Sequence, residues 1–174
     1  MIHFFCGDKI LTGNYTDIKS SQTLYNWFGD YENKKKGNSL LSEKILNEVD
    51  KMYQRLGEET IRKLVTEFYT IMDTDNYAKS IRNMHSKDLS KPKRKLEMYL
   101  IGRFGGPPLY VREYGHPRLK ARHFPFKIGE REKEEWMYCM NKALNSVIAN
   151  ERDREVLRKF FDHLSDFMIN QPIE

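Results

Sequence analysis

A chain of 174 residues, 39% of them hydrophobic and 13% aromatic, is long enough for one domain with a single buried core and short of two. Its 30 basic and 25 acidic residues leave a formal charge of +5 and are mostly interleaved. That pattern reads as a solvated surface rather than a polybasic tail, and leaves nucleic-acid binding as a minor alternative. The two cysteines, Cys6 and Cys139, have neither the pattern of a disulfide framework nor metal-ligand spacing, which fits a reducing cytoplasm. No apolar run approaches the ~18 residues of a membrane span. The first residues, Met-Ile-His-Phe-Phe-Cys-Gly-Asp, lack a basic segment before a long apolar one, so no secretory signal is expected.

Residues 1–30 carry aromatics (Phe4, Phe5, Tyr15, Tyr25, Trp27, Phe28) without a clear period, and residues 31–39 read as a polar linker. Helical periodicity then begins. Ser42 is placed to cap a helix with Ile45, Leu46, Val49, Met52, Tyr53 and Leu56 on one stripe, ended by Gly57. A second stripe holds Ile61, Leu64, Val65, Phe68, Tyr69 and Met72. Residues 76–85 are poorly patterned. Ser90 is placed to cap the next helix, where Pro92 falls in the first turn and removes no intrahelical bond. That helix carries Leu96, Tyr99, Leu100 and Phe104, and Gly105-Gly106-Pro107 stops it. Pro117 opens a short helix that Pro125 ends near His123. Two long helices, predicted over residues 130–149 and 153–168, close a chain with no convincing alternating strand. The predicted class is all-α.

His123, at the end of a short helix framed by prolines, can give one imidazole nitrogen to a metal while the other N–H meets a backbone carbonyl. On composition alone, a hydrogen-bonded core histidine is the simpler reading. Tyr69 and Trp136 sit on apolar stripes and serve as core residues. If their polar tips converge on one pocket, they are donors to a ligand of partial negative charge. The charged helix start at residues 130–135 reads as a solvated face, as does the basic cluster Lys91, Lys93, Arg94 and Lys95. Gly105-Gly106 lacks the setting of a phosphate loop, and no catalytic residue is assigned.

Larger units carry more. The run Gly105-Gly106-Pro107 with Tyr110, then Tyr114-Gly115-His116-Pro117-Arg118-Leu119 with Arg122-His123 and Pro125-Phe126, then Trp136-Met137 with Cys139-Met140, resembles the group II truncated haemoglobins. The resemblance covers about residues 53–172. Tyr53-Gln54-Arg55-Leu56-Gly57-Glu58 resembles the first family helix and Phe68-Tyr69 with Met72-Asp73 the second. Ile81-Arg82, Met84-His85 and Asp88-Leu89 resemble the corner that follows.

The resemblance implies a truncated two-over-two globin fold around a b-type haem, with an N-terminal extension (residues 1–41) before a globin domain (residues 42–174). It makes His123 the proximal iron ligand and His116 a non-ligand. Tyr69 and Trp136 become distal hydrogen-bond donors, with His85 at a corner touching the ligand and Leu96 above the haem. Lys95, Arg122 and Tyr110 fall near the haem propionates. Pro92 falls near a position that gates ligands, where it offers no polar side chain. The implied function is binding of dioxygen or other diatomic ligands, held tightly by several donors, which argues against bulk oxygen delivery. Peroxide or nitric oxide turnover at the same haem and a non-haem helical interaction module are the alternatives. A reductase partner is open, no membrane association is expected, and the oligomeric state is not indicated.

Overall fold

The computed structural model describes residues 39–172, with side chains from 43. The N-terminal aromatics, Cys6 and the linker up to residue 38 lie outside the described residues. Of those described, 45–172 belong to one compact unit and 39–44 to a second. Their regular structure is helical throughout: α1 (Ser39–Val49), α2 (Met52–Thr74), a 3-10 turn (Asn76–Ala78), α3 (Lys79–Asn83), α4 (Ser90–Arg103), α5 (Leu109–Tyr114), α6 (Leu119–His123), α7 (Glu130–Val147) and α8 (Glu151–Met168).

Several expected boundaries move. The helix expected from Ser42 to Gly57 is two helices, because the chain turns at Asp50 and Lys51 and restarts at Met52. Gly57 interrupts the helix as expected: inside the span of α2 its φ of +74° and ψ of 160° are non-helical, so the short helical segment from Met52 stops there and a second one follows across the kink. Ser90 is the first residue of α4 rather than its cap. Leu89 holds the N-cap position without a side-chain hydrogen bond, and Asp88 before it accepts from Ser90 N at 2.9 Å and from Ser90 Oγ at 2.8 Å. Residues 76–85 form a 3-10 turn and α3, and α5 lies in a stretch without an assigned helix.

The four long helices form two layers, α2 against α4 and α7 against α8, joined by packing of α2 on α7. Phe68, Phe104, Phe160, Phe161, Leu100 and Met140 are fully buried among them. Rings at 5.1 to 6.3 Å join Phe104, Phe160 and Phe161 in tilted or edge-on contacts. Asn150 caps α8 by accepting from Asp153 N at 3.1 Å.

The end of α4 is fastened to the start of α2. Tyr53 N donates to Phe104 O at 2.8 Å, and Arg103 pairs with Asp50. Gly105 makes this closeness possible. Its φ is +91°, and a Cβ there would sit 2.0 Å from Asp50 O. The fastening sets the tilt of α4, which carries one wall of the site.

Candidate functional site

One cavity lies between the helix layers, with about 1080 Å³ of empty space including its open mouth. Tyr69 reaches it from α2, Lys95 and Leu96 from α4, and Trp136 from α7. His123, His85 and Tyr110 complete the set of predicted site residues that line it. Pro92 lines it as well and is buried.

Arg122 does not line the cavity. Its Nε donates to Pro117 O at 2.8 Å and its Nη2 to Tyr114 O at 3.5 Å, so the guanidinium braces the loop before α6. His116 is exposed and outside the cavity, with Nδ1 accepting from Arg118 N at 3.2 Å. Arg118 then takes the left-handed conformation, φ 42°, that starts α6.

His123 ends α6. Its Nδ1 lies 2.7 Å from Leu119 O. A carbonyl oxygen only accepts, so Nδ1 carries the hydrogen and the neutral ring keeps its lone pair on Nε2. Burial lowers its pKa and favours this neutral form. The helix is held from the C-terminal end of the chain. Lys120 Nζ donates to Phe167 O at 2.9 Å and Ile169 O at 3.1 Å. Asn170 Nδ2 donates to Phe126 O at 2.8 Å, and its Oδ1 accepts from Ile128 N at 3.0 Å.

Tyr69 is buried, and burial raises its phenol pKa, so the hydroxyl stays protonated as a donor. Phe68 holds Tyr69 edge-on at 5.0 Å and Trp136 at 5.1 Å, and Phe161 backs the indole at 5.6 Å. Neither the Tyr69 hydroxyl nor the Trp136 N–H has a hydrogen-bond partner among the described residues. His85 stands edge-on to Tyr69 at 5.8 Å, with Nδ1 2.8 Å from Ile81 O.

These features fit a haem. The cavity offers a bare imidazole nitrogen and mainly apolar walls. Tyr99 and Tyr110, 8% and 4% exposed, also line it, and their hydroxyls are buried without partners among the described residues. An unpaired buried hydroxyl costs ~1–3 kcal/mol, so a ligand with acceptor oxygens offsets a penalty the fold otherwise carries. No group of three or more His, Cys, Asp or Glu able to hold a bare metal ion occurs among the described residues.

Three supporting residues have no signal in the sequence. Glu135, expected on a solvated face, is 3% exposed and accepts from Ile81 N at 3.1 Å and Arg131 Nε at 3.1 Å. Its charge hid its burial. Lys120 and Asn170 act through backbone carbonyls, which no motif reveals. The basic cluster is mixed: Lys91 and Arg94 are exposed, Arg94 pairs with Glu113 at 2.8 Å, and Lys95 faces the cavity with Nζ 4.8 Å from the Tyr114 ring centroid. Cys139 is a buried free thiol, and burial pushes its pKa up to about 12.

Two helix layers enclosing an apolar cavity with a terminal histidine define a truncated globin. The model of the bacterial-like globin family matches residues 51–170. A group 2 truncated hemoglobin of Bacillus subtilis, YjbI, is 36% identical over 119 residues, covering 68% of this chain and 88% of the relative. Two solved structures align with TM-score 0.68. One is a cold-adapted truncated hemoglobin of the Antarctic marine bacterium Pseudoalteromonas haloplanktis TAC125, 41% identical, covering 69% of this chain and 98% of that one. The other is a group II 2-on-2 hemoglobin of Agrobacterium tumefaciens, 39% identical, covering 70% and 95%. The chain belongs to the bacterial-like globins, as a group II truncated haemoglobin with the two-over-two fold. Haem-based ligand binding follows from that membership, and the non-haem reading of the chain falls with it.

Proposed function

We propose that this chain binds b-type haem through Nε2 of His123 and holds dioxygen or a related diatomic ligand with the donors of Tyr69 and Trp136. Haem, when bound, supplies an iron with one coordination position open to such a ligand. The observation that carries the reading is the meeting, in one cavity, of two donors without a partner among the described residues and a tautomer-fixed histidine. Leu119 O orients the proximal imidazole. Phe68 and Phe161 fix the two donor rings. Leu96 and Pro92 offer no hydrogen bond and exclude water from the apolar wall. The Tyr110 hydroxyl and the Lys95 ammonium are proposed to meet the propionates, with Arg122 bracing the loop beside them.

Each donor contributes ~1–3 kcal/mol to a partly charged ligand, roughly 5- to 150-fold in its release rate. Two donors together favour retention, sensing or redox chemistry over bulk delivery. A reductase partner belongs to the same reading, as does a cytoplasmic location, which the buried free Cys139 supports. No helix among the described residues is long and apolar enough to cross a membrane. The globin domain is proposed to occupy residues 42–174, with residues 1–41 an extension before it. That boundary falls within α1.

The absorption spectrum of the purified protein tests the proposal. A Soret band is expected, lost in His123→Ala and kept in His116→Ala. A colourless protein that also fails to take up added haemin overturns it.

A further inference from the structure

The hydrogen bonds of His85 run opposite to a distal donor. Its Nδ1 is 2.8 Å from Ile81 O, and that oxygen only accepts, so the ring hydrogen is on Nδ1. Burial holds its pKa at about 4, so the ring is neutral near pH 7 and Nε2 keeps a bare lone pair. His85 lines the cavity and stands edge-on to Tyr69, with ring centroids 5.8 Å apart.

The surroundings hold the carbonyl that His85 Nδ1 meets in place. Ile81 N is fixed by the buried Glu135 carboxylate at 3.1 Å, so the acceptor peptide cannot turn away. Arg82 binds Asp73 through Nε at 2.6 Å, and its guanidinium reaches Ser86 O at 3.0 Å and Lys87 O at 3.3 Å. The loop that carries His85 is therefore clasped from α2, α3 and α7.

We propose that His85 is the acceptor of the distal pocket: its Nε2 lone pair accepts a hydrogen bond from ligands that bring their own proton, and so selects water over dioxygen. This rests on the haem reading above. A lone pair facing the partial negative charge of dioxygen is repulsive. Water has two hydrogens, one of which Nε2 can accept. His85 thus sets ligand preference with the sign opposite to Tyr69 and Trp136.

The test uses the intact protein and His85→Phe, which removes donor and acceptor together. Dioxygen release from the variant is expected to slow by about threefold or more, on the order of one hydrogen bond. The ferric variant is expected to lose water, read as a shift of its absorption spectrum. Faster or unchanged dioxygen release overturns the proposal. A second measurement does not need the variant to fold. Nitrogen-15 NMR of the unaltered protein as purified, saturated with carbon monoxide if it carries haem, reports which nitrogen of His85 is protonated. A protonated Nδ1 with bare Nε2 is expected, and a protonated Nε2 overturns the proposal. If no Soret band forms, the haem reading fails on its own while the NMR result still decides the tautomer.

Discussion

The backbone N–H of Ile81 donates to the buried carboxylate of Glu135, 3.1 Å away and 54 positions along the chain. The carbonyl of the same residue receives Nδ1–H of His85 at 2.8 Å. One residue thus ties α7 to the distal loop, immediately beside Trp136. Glu135→Leu leaves a buried N–H without an acceptor and is expected to cost ~1–3 kcal/mol in denaturant unfolding. Glu135→Gln keeps an acceptor oxygen and should cost less. Equal, negligible losses in both variants would return Glu135 to an ordinary surface acid.

Tyr69→Phe and Trp136→Phe each remove one donor and leave the ring packing with Phe68 in place. Each should speed dioxygen release by roughly 5- to 150-fold, measured by stopped-flow displacement. Unchanged release in the double variant would remove both residues from the distal role.

The long helices were legible because each repeats its apolar stripe over many turns, as in Ile61, Leu64, Val65 and Phe68. α3 and α5, of five and six residues, are too short for a period to form. The ligand candidates were legible through motif spacing around His123, not through composition. What the sequence hid is who holds them. Glu135 looks like any other acid in a charged run, and only packing shows its burial. Asn170 sits in an unpatterned tail and acts on carbonyls 44 and 47 positions away. Gly105-Gly106 marks a helix stop, but nothing local names Asp50 as the backbone it must approach.

That approach yields a contrast between two glycines with positive φ. At Gly105 a Cβ would lie 2.0 Å from Asp50 O, a backbone atom that cannot swing aside. At Gly57 a Cβ meets nothing within 4 Å, and the cost is conformational only. Gly57→Ala should therefore cost ~1–3 kcal/mol and still fold. Gly105→Ala adds the clash to a similar strain and should fall well below it in thermal unfolding, or fail to accumulate. Equal losses would mean that the α4 end is not fastened as described.

Tyr110→Phe separates haem retention from fold stability. The hydroxyl is buried without a partner among the described residues, so its removal from the haem-free protein should be neutral or mildly stabilising. If it meets a propionate, the loaded variant should lose haem faster, by roughly 5-fold for one hydrogen bond of ~1 kcal/mol. Transfer of haem to an excess of an acceptor apoprotein measures this. An unchanged transfer rate would remove Tyr110 from the haem contacts.

His85 also fixes the sign of the acid response. Its pKa is lowered from 6.5 to about 4, chiefly by burial, and the Arg82 and His123 charges push the same way. The unfolded chain therefore binds a proton that the folded one refuses between these values. Stability from this group is complete above about pH 6.5 and is lost as pH falls through about 4. His116 and His123 are lowered as well and contribute the same sign, so removing His85 should reduce the slope without abolishing it. Denaturant unfolding of His85→Phe across pH 7 to 4 should show a shallower loss than the unaltered protein, by as much as one proton per molecule. Parallel curves would mean that His85 titrates normally in the folded state, with its ring reached by water.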